Sequence, residues 1–289
     1  MIHYDSIDKA IEIAFAEDST DRFTGIQYGD VSSLSVFDHS QIGHAKLLVK
    51  DQGVIAGVEL AQRIIQKLDP EAVFTVHIQD GEMVNNGDIV FTCSAKVLCL
   101  LKAERILLNF MQRMSGIATL SHTFSQAVKH TRCKILDTRK TTPGLREFDK
   151  WAVRIGGAHN HRFGLYDMIM LKDNHVDYCG GIEKTIQKAI HYKRENNLDI
   201  PIEIETRNLR EVEQVLAHGG VQRIMLDNFS IEDCSLAVSL ISNRYETEAS
   251  GGINLQTVVP YAETGVQFIS VGALTHSAKC LDISFKARI

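Results

Sequence analysis

The order of apolar segments along the chain predicts an α/β protein with a mixed α+β first part and a parallel α/β second part. From residue 133 onward, six short strand-like runs recur, and helical patterns lie between most of them. Such alternation is typical of parallel βαβ units, and continuous apolar character within short strands is typical of a buried parallel sheet. Six strands are fewer than the eight of a complete α/β barrel, so a closed barrel is not expected. An open doubly wound sheet is the alternative.

The first hundred residues predict two helices and several strands before a long helical pattern begins. In 6–17, apolar residues recur at helical spacing, with Ser6 or Asp5 as the N-cap. The predicted strands are 43–50, 54–56, 71–79 and 89–93. The predicted helices are 58–68, between the second and third strands, and 97–112, after the fourth. The pattern changes after Gly116.

The second part of the chain is more regular. Its predicted strands are 133–137, 168–172, 201–205, 223–227, 245–249 and 267–272, and its predicted helices are 182–195, 208–218, 231–241 and 255–264. We therefore expect an N-terminal domain over 1–112 and a catalytic domain over 113–274.

The composition excludes several classes of protein. With 31 Lys+Arg against 36 Asp+Glu, the 289-residue chain has a formal net charge of −5, which argues against a nucleic-acid or anionic-membrane binder. The N-terminus lacks a signal-peptide pattern, no apolar run approaches about 18 residues, and the six cysteines form no CxxC pair. We therefore predict a soluble, cytoplasmic protein with reduced thiols.

The charge is unevenly distributed along the chain. The window 132–172 contains nine Lys/Arg and four Asp/Glu, a net charge of +5 within an acidic protein. A basic segment of this kind indicates an anionic small molecule as the ligand.

Polar residues follow the end of each predicted strand in the second part. These are Asp137-Thr138-Arg139-Lys140, Lys172-Asp173-Asn174-His175, Glu205, Asp227-Asn228, Ser250-Gly251-Gly252 and Gly272. The carboxyl ends of parallel strands are where α/β enzymes build their sites. One such end is explained by solvated surface charge, but six in succession predict a single binding mouth.

The cations at these ends suit an anionic substrate. Arg139 and Arg162 offer planar forks that match carboxylate or phosphate, Lys140 and Lys172 add point charges, and His161 adds a donor. Each cation alone is more often a surface residue, whereas together they indicate an anion site.

The remaining strand ends suit a phosphorylated substrate. Glu205 and Asp227 could hold Mg²⁺ with substrate phosphates, or they could pair with the lysines. The glycines at 251–252 and 272 precede helical patterns, where backbone N–H groups can cradle a phosphate. Neither a P-loop nor a GxGxxG motif occurs. The inventory fits a phosphorylated sugar with Mg²⁺ beside a carboxylated substrate.

Seven ordered segments resemble the quinolinate phosphoribosyltransferase family. They are AERILLNFMQRMSGIAT (103–119), DTRKTTPGLR (137–146), KWAVRIGGAHNHRFGLYDMIMLKDNH (150–175), IEIET (202–206), IMLDN (224–228), EASGGI (248–253) and VGALTHS (271–277). The resemblance covers about residues 100–277 in order and is weaker in the N-terminal part.

The resemblance implies a fold and a reaction. The fold is an N-terminal α+β sandwich-like domain, an incomplete parallel α/β barrel, and a C-terminal tail, 275–289, that returns to the first domain. The reaction is phosphoribosyl transfer from phosphoribosyl pyrophosphate to quinolinate with decarboxylation, in NAD biosynthesis. The family forms homodimers with shared active sites, which we expect here.

The resemblance also implies roles for individual residues. Substrate contacts are implied for Thr138, Arg139, His161, Arg162 and Lys172, with Arg105 contributed across the dimer. Lys140, Glu205 and Asp227 are the implied catalytic groups, with Lys140 between the substrates and the two carboxylates on the ribose and Mg²⁺ side. Phosphate contacts are implied for Ser250, Gly251, Gly252, Val271, Gly272, Ala273 and His276.

Three alternatives stay open at this stage. One is a related phosphoribosyltransferase of the molybdenum-transport-associated type with another acceptor. A second is a metal-dependent barrel hydrolase that uses His159, His161, His175 and Asp227, although this HxH lies far from a predicted strand end and Arg162 follows it at once. The third is a nonenzymatic metabolite sensor with the same anion pocket. The segment 17–33 is longer than the family's usual loop, and Thr247 stands where an apolar residue is usual.

Overall fold

A computed structural model describes residues 3–288 of the chain. The chain divides into two units, each with its own main sheet. The first unit comprises Met1–His122, Thr141–Gly157 and Thr275–Ile289, and the second comprises Thr123–Lys140 and Ala158–Leu274. Within the described residues, no helix is long and apolar enough to cross a bilayer.

Strands and helices alternate most regularly in the second half of the chain. The strands are β1 (Ile42–Val49), β2 (Gly53–Val54), β3 (Val73–Val76), β4 (Met83–Val84), β5 (Ile89–Lys96), β6 (Lys134–Leu136), β7 (Ile169–Leu171), β8 (Ile202–Thr206), β9 (Arg223–Asp227), β10 (Glu246–Ser250), β11 (Phe268–Ser270) and β12 (Ile283–Ala287). The helices are α1 (Tyr4–Ser19), α2 (Val31–Leu34), α3 (Val58–Leu68), α4 (Val97–Ala127), α5 (Arg146–Ile155), α6 (Asp173–Cys179), α7 (Ile182–Glu195), α8 (Leu209–His218), α9 (Ile231–Ile241), α10 (Val258–Glu263) and α11 (Ala273–His276).

The first unit is built on a four-stranded antiparallel sheet in the order β12-β1-β5-β3. In β1, Ala45, Leu47 and Val49 are buried and alternate with more exposed residues, as expected for a sheet with one covered face. Because β12 pairs with β1, the C-terminal segment returns to this sheet. The α+β character of the first part and the returning tail are confirmed.

The helix that begins at Val97 continues to Ala127 as α4, so the end predicted at residue 112 is wrong. Gly116 suggested a break, because glycine disfavours helix by about 1 kcal/mol relative to alanine. A Cβ at this position would lie 2.1 Å from the carbonyl oxygen of Lys279, within the same unit. Gly116 therefore permits a close approach of backbone and does not end the helix.

The second unit is built on a six-stranded parallel sheet in the order β6-β11-β10-β9-β8-β7. The order runs from β7 to β11 in one direction and then reaches β6, without the reversal that defines a doubly wound sheet. Within the described residues, β6 and β7 are the edges of this sheet. The incomplete parallel barrel is confirmed, and the doubly wound alternative is wrong.

The HxH segment lies beside the first strand of this sheet. An isolated parallel bridge joins Leu136 to His159, and the His159 N–H donates to the carbonyl of Ile135 at 2.8 Å. The expectation that this segment lies far from a strand end is therefore wrong. A loop that follows a helix can return to a sheet edge without a strand pattern of its own.

Candidate active site

All six strands of the second unit run parallel, so their carboxyl ends meet at one edge, which we call the mouth. The mouth carries Thr138, Arg139 and Lys140 after β6, Lys172 after β7, Glu205 in β8, Asp227 in β9, Ser250 to Gly252 at the end of β10, and Val271 to Ala273 after β11. The chain order thus brings most of the predicted site residues to a single edge.

Two of the predicted substrate-binding residues belong to the first unit. Arg105 is an exposed residue of α4, and His276 is an exposed residue at the end of α11. Nδ1 of His276 lies 2.6 Å from Oγ of Ser277.

Asp137 fastens the segment 159–161 to the end of β6. Its buried carboxylate accepts hydrogen bonds from Nδ2 of Asn160 at 2.7 Å and from the backbone N–H of His161 at 2.8 Å. The residues that follow, Arg139 and Lys140, are exposed. Asp137 therefore shapes the strand end, and the cations beyond it face solvent.

His161 lies beneath the mouth between two buried carboxylates. Its Nε2 is 3.2 Å from Oε2 of Glu203 and 3.3 Å from Oε2 of Glu248, and neither glutamate has exposed surface. Nη1 of Arg223 donates to Oε2 of Glu248 at 2.9 Å and lies 4.0 Å from Oε2 of Glu203. We call these four residues the buried ionic cluster.

Charge balance in the buried ionic cluster requires one proton beyond the Arg223 charge. Burial alone would lower the pKa of His161, but the hydrogen bonds and charges of the two glutamates outweigh it and raise the pKa to about 9. Burial and the Glu248 charge also raise the pKa of Glu203. Burial opposes ionisation of Glu248, yet His161 and Arg223 lower its pKa.

The contact of Nδ1, the other ring nitrogen of His161, indicates where the ring carries its hydrogen. The backbone N–H of Arg162 donates to Nδ1 of His161 at 2.7 Å. A raised His161 pKa favours a doubly protonated ring, but an N–H cannot donate to another N–H. This geometry therefore fits a ring that carries a hydrogen on Nε2, which faces the two glutamates. Both ring nitrogens of His161 are thus engaged within the chain, and its contact with substrate stays a prediction.

The positive charges of Arg139 and Arg162 repel each other. The pKa of Arg162 is lowered by its partial burial and then by the charge of Arg139. Nη1 of Arg162 donates to the carbonyl of Met168 at 3.2 Å, which directs the guanidinium. Two guanidinium groups in mutual repulsion form a site that an anion would stabilise.

The acidic side of the mouth consists of Glu205 and Asp227. Nζ of Lys172 lies 3.4 Å from Oε2 of Glu205. The pKa of Glu205 is raised by burial and by the Asp227 charge, although Lys172 opposes this. Two carboxylates that repel each other on neighbouring strands fit a divalent cation. Mg²⁺ requires oxygen ligands, and its positive charge relieves the repulsion between them. Pairing of the carboxylate with lysine, the other expectation, is also present at Glu205.

Gly251 is required by its contact with the neighbouring strand end. It has φ +95°, and a Cβ there would lie 2.2 Å from Oδ1 of Asn228, whose N–H donates to the Ser250 carbonyl at 2.8 Å. Gly252 also has positive φ, +63°, but open space surrounds its Cβ position. The turn after β10 therefore keeps its backbone close to the end of β9.

This difference between the two glycines gives a prediction. Gly251→Ala is expected to lower the free energy of unfolding by about 2 kcal/mol more than Gly252→Ala, because only the former adds a steric overlap to the cost of positive φ. Urea denaturation of both variants measures the difference. Asn228→Gly in the Gly251→Ala background should recover part of the loss, and equal losses in the two single variants would contradict the argument.

Sequence reasoning named Asp137 and Asn228 only as strand-end residues, without a supporting role, and it did not single out Asn160, Glu203, Arg223 and Glu248. The available signal was the presence of charged residues inside short apolar strands, IEIET and ETEAS. Such residues in strands buried on both faces require internal partners.

The metal-dependent hydrolase is not favoured. The trio of possible metal ligands within the described part of the chain is His161, Glu203 and Glu248, which includes neither His175 nor Asp227. Nδ1 of His175 accepts the backbone N–H of Lys172 at 2.8 Å and so caps α6.

Comparisons with known proteins agree on one family. The models of the N-terminal and C-terminal domains of quinolinate phosphoribosyl transferase match residues 30–115 and 117–286. Quinolinate phosphoribosyltransferase (decarboxylating) 1b of Nicotiana tabacum is 43% identical over 290 residues, which cover 96% of this chain and 81% of that protein. The probable nicotinate-nucleotide pyrophosphorylase (carboxylating) of Bacillus subtilis is 40% identical over 256 residues, 89% of this chain and 87% of that protein.

A solved structure agrees in fold and extent. The crystal structure of NadC from Streptococcus pyogenes has a TM-score of 0.90 and 37% identity, covering 100% of this chain and 99% of that chain. With both domain models matched in order and relatives of at least 40% identity over most of its length, this chain belongs to the quinolinate phosphoribosyltransferase family.

Proposed function

We propose that this chain transfers the phosphoribosyl group of phosphoribosyl pyrophosphate to quinolinate and decarboxylates the product, giving nicotinate mononucleotide, pyrophosphate and CO2. The observation that carries this is the mutually repelling pair Arg139 and Arg162 in the same unit as the mutually repelling pair Glu205 and Asp227, with Arg139, Glu205 and Asp227 at the carboxyl ends of parallel strands. Family membership supports the same reaction.

The cations bind and orient quinolinate. Its two adjacent carboxylates suit Arg139, Arg162 and Lys172, because fork-shaped and point donors together fix the plane of the ring. Thr138 offers a hydroxyl beside them, but this oxygen already accepts the N–H of Lys140 at 3.0 Å. Held in this way, the ring nitrogen can face the anomeric carbon of the donor at close range, which is an effect of positioning.

The bond changes balance without an organic cofactor. The nitrogen lone pair forms the N–C1 bond as the C1–pyrophosphate bond breaks, and pyrophosphate leaves with that electron pair. The ribosylated nitrogen is cationic, so it stabilises the carbanion when the C2–carboxylate bond breaks and CO2 departs. A proton from solvent water then adds to C2. Lys140 offsets negative charge on the departing pyrophosphate, an electrostatic role.

Glu205 and Asp227 serve the ribose and the metal. We assign them as the residues that would hold Mg²⁺, directly or through water, and that stabilise positive charge developing on the ribose ring. When bound, Mg²⁺ would supply positive charge to the pyrophosphate oxygens.

The glycine turns hold the phosphate end of the donor. Ser250, Gly251 and Gly252 after β10, Val271, Gly272 and Ala273 after β11, and His276 are the proposed contacts. Backbone N–H groups at such turns bind phosphate well.

We also propose that two copies of the chain form a homodimer in which Arg105 completes the partner's quinolinate site. Mixing an Arg105→Ala chain with a Lys140→Ala chain should restore activity in the hybrid dimers. Verified subunit exchange without restored activity would contradict a shared site. The compartment predicted from the sequence, the cytoplasm, stays a prediction, since plant relatives are described as chloroplastic or mitochondrial.

The choice of acceptor tests the proposed function. Purified protein with phosphoribosyl pyrophosphate and Mg²⁺ is expected to release pyrophosphate with quinolinate and much more slowly with nicotinate, which lacks the second carboxylate. Preferential turnover of nicotinate would contradict the assignment and would favour a different acceptor.

A further inference from the structure

A layer of ionic side chains lies beneath the mouth and is not used in the proposed reaction. Glu203 lies two residues before Glu205 on β8, and Glu248 lies two residues before Ser250 on β10, so each shares a face with a mouth residue, one layer deeper. Arg223, at the start of β9, pairs in register with Glu203. Three neighbouring strands thus contribute to the buried ionic cluster.

Packing alone does not account for these charges. Removing carboxylates from water is costly, and apolar side chains of similar size would fill the same space at lower cost. The residues that follow directly, such as Ile204, Ile224 and Ala249, are apolar and buried. The trio also has the composition of a metal site, but Nη1 of Arg223 already lies 2.9 Å from the Glu248 carboxylate and supplies one compensating positive charge.

The cluster is connected to the mouth through His161. Its Nε2 faces the two glutamates, its backbone N–H donates to Asp137, and its Nδ1 accepts the N–H of Arg162. The ring is therefore held from β8 and β10 through Nε2, and the backbone of His161 is held from the end of β6 by Asp137. Through the Nδ1 contact, this arrangement fixes the backbone at Arg162, from which the guanidinium projects.

Arg162 needs such support because its neighbour repels it. Arg139 carries the same charge and lies close enough to lower the pKa of Arg162, whose guanidinium is also partly buried. A rigid base that holds Arg162 against this repulsion prepares the site in advance and lowers the cost of ordering it when the substrate arrives.

We propose that Glu248, together with Glu203, is a positioning residue that fixes the His161 ring and thereby presets Arg162 for the dicarboxylate substrate. This inference rests on the proposed function and names the part of the protein that prepares its quinolinate site.

A matched pair of glutamates tests it. Glu246 lies on the same strand as Glu248 and also contacts Arg223, at 2.9 Å, but it is exposed and is not among the carboxylates that approach His161. Glu248→Gln is expected to raise the quinolinate Kd, measured by calorimetry, and the quinolinate KM by about tenfold, with the Kd of phosphoribosyl pyrophosphate unchanged within about twofold. Glu246→Gln should leave both Kd values within about twofold of the parent protein.

A double-mutant cycle separates positioning from general stability. If Glu248 acts through His161, Glu248→Gln should add little to the quinolinate Kd of a His161→Gln protein. Glu203→Gln provides a second variant with the same expected selectivity, should Glu248→Gln fail to fold, because Glu203 also contacts His161 and lies farther from Arg223.

The outcomes are distinct. An unchanged quinolinate Kd in folded Glu248→Gln, equal losses for both substrates, or full additivity with His161→Gln would overturn the positioning role. Failure of the parent protein to bind or turn over quinolinate would overturn the proposed function itself.

Discussion

Arg139→Ala is expected to raise the quinolinate KM about 100-fold, whereas the KM of phosphoribosyl pyrophosphate changes by less than about threefold. The loss corresponds to about 2.7 kcal/mol, the scale of a charge-assisted contact with a carboxylate. Removing this guanidinium also removes its repulsion of Arg162, so the pKa of Arg162 rises toward its ordinary value. Steady-state kinetics with each substrate varied in turn measures the effect.

Arg132 provides the control for this prediction. It is exposed, lies in the same basic window, and precedes β6, at the opposite end of the strand from the mouth. Arg132→Ala should leave both KM values unchanged. Equal increases for both substrates in Arg139→Ala, or the same increase in Arg132→Ala, would show that net charge and not a specific contact determines quinolinate binding.

Asp227→Asn is expected to lower kcat at least about 100-fold and to raise the Mg²⁺ concentration needed for half-maximal activity. The amide removes the negative charge that faces Glu205 and the developing charge on the ribose. The same change removes one contribution that raises the Glu205 pKa, so that pKa falls. Kinetics at graded Mg²⁺, together with titration of the protein with Mn²⁺ followed by electron paramagnetic resonance, measures both effects.

An exposed aspartate distant from the strand ends controls for net charge. Asp199 lies between α7 and β8, before the strand and not after it. Asp199→Asn should retain the parent kcat and Mg²⁺ dependence. An Asp227→Asn protein with parent-like Mn²⁺ affinity would exclude Asp227 as a metal ligand, and parent-like kcat would exclude its catalytic role.

The architecture was accessible from the sequence because its signals are local. Short apolar runs that alternate with helical patterns identified the strands of the parallel sheet, and polar residues after those runs identified the mouth. The incomplete closure followed from the family resemblance and from the strand count. Predicting these features does not require knowing which side chains contact each other in the folded protein.

The support beneath the mouth was not accessible, because its contacts join segments that are far apart in the chain. His161, Glu203 and Glu248 are separated by more than forty residues at each step, and only the sheet order brings their side chains together. The motif predicts His161 as a substrate contact, which stays a prediction, and the structure adds that both of its ring nitrogens are engaged within the chain. A motif identifies a residue that the site needs, but not whether it acts on the substrate or through a neighbour.

Helix ends were also hard to predict where tertiary contacts override local preference. Gly116 lies within α4 because the segment at Lys279 packs against it, and no local signal reveals that approach. The helix α5 was missed, and several of its charged residues, including Glu147, Asp149 and Lys150, are buried.

The central claim is tested most directly by quinolinate labelled with ¹⁴C at its 2-carboxylate. With phosphoribosyl pyrophosphate and Mg²⁺, the protein should release one labelled CO2 for each pyrophosphate, form nicotinate mononucleotide, and release no CO2 without the phosphoribosyl donor. Label released without the donor, pyrophosphate formed without CO2, or no release of label by the active, folded protein would contradict the account.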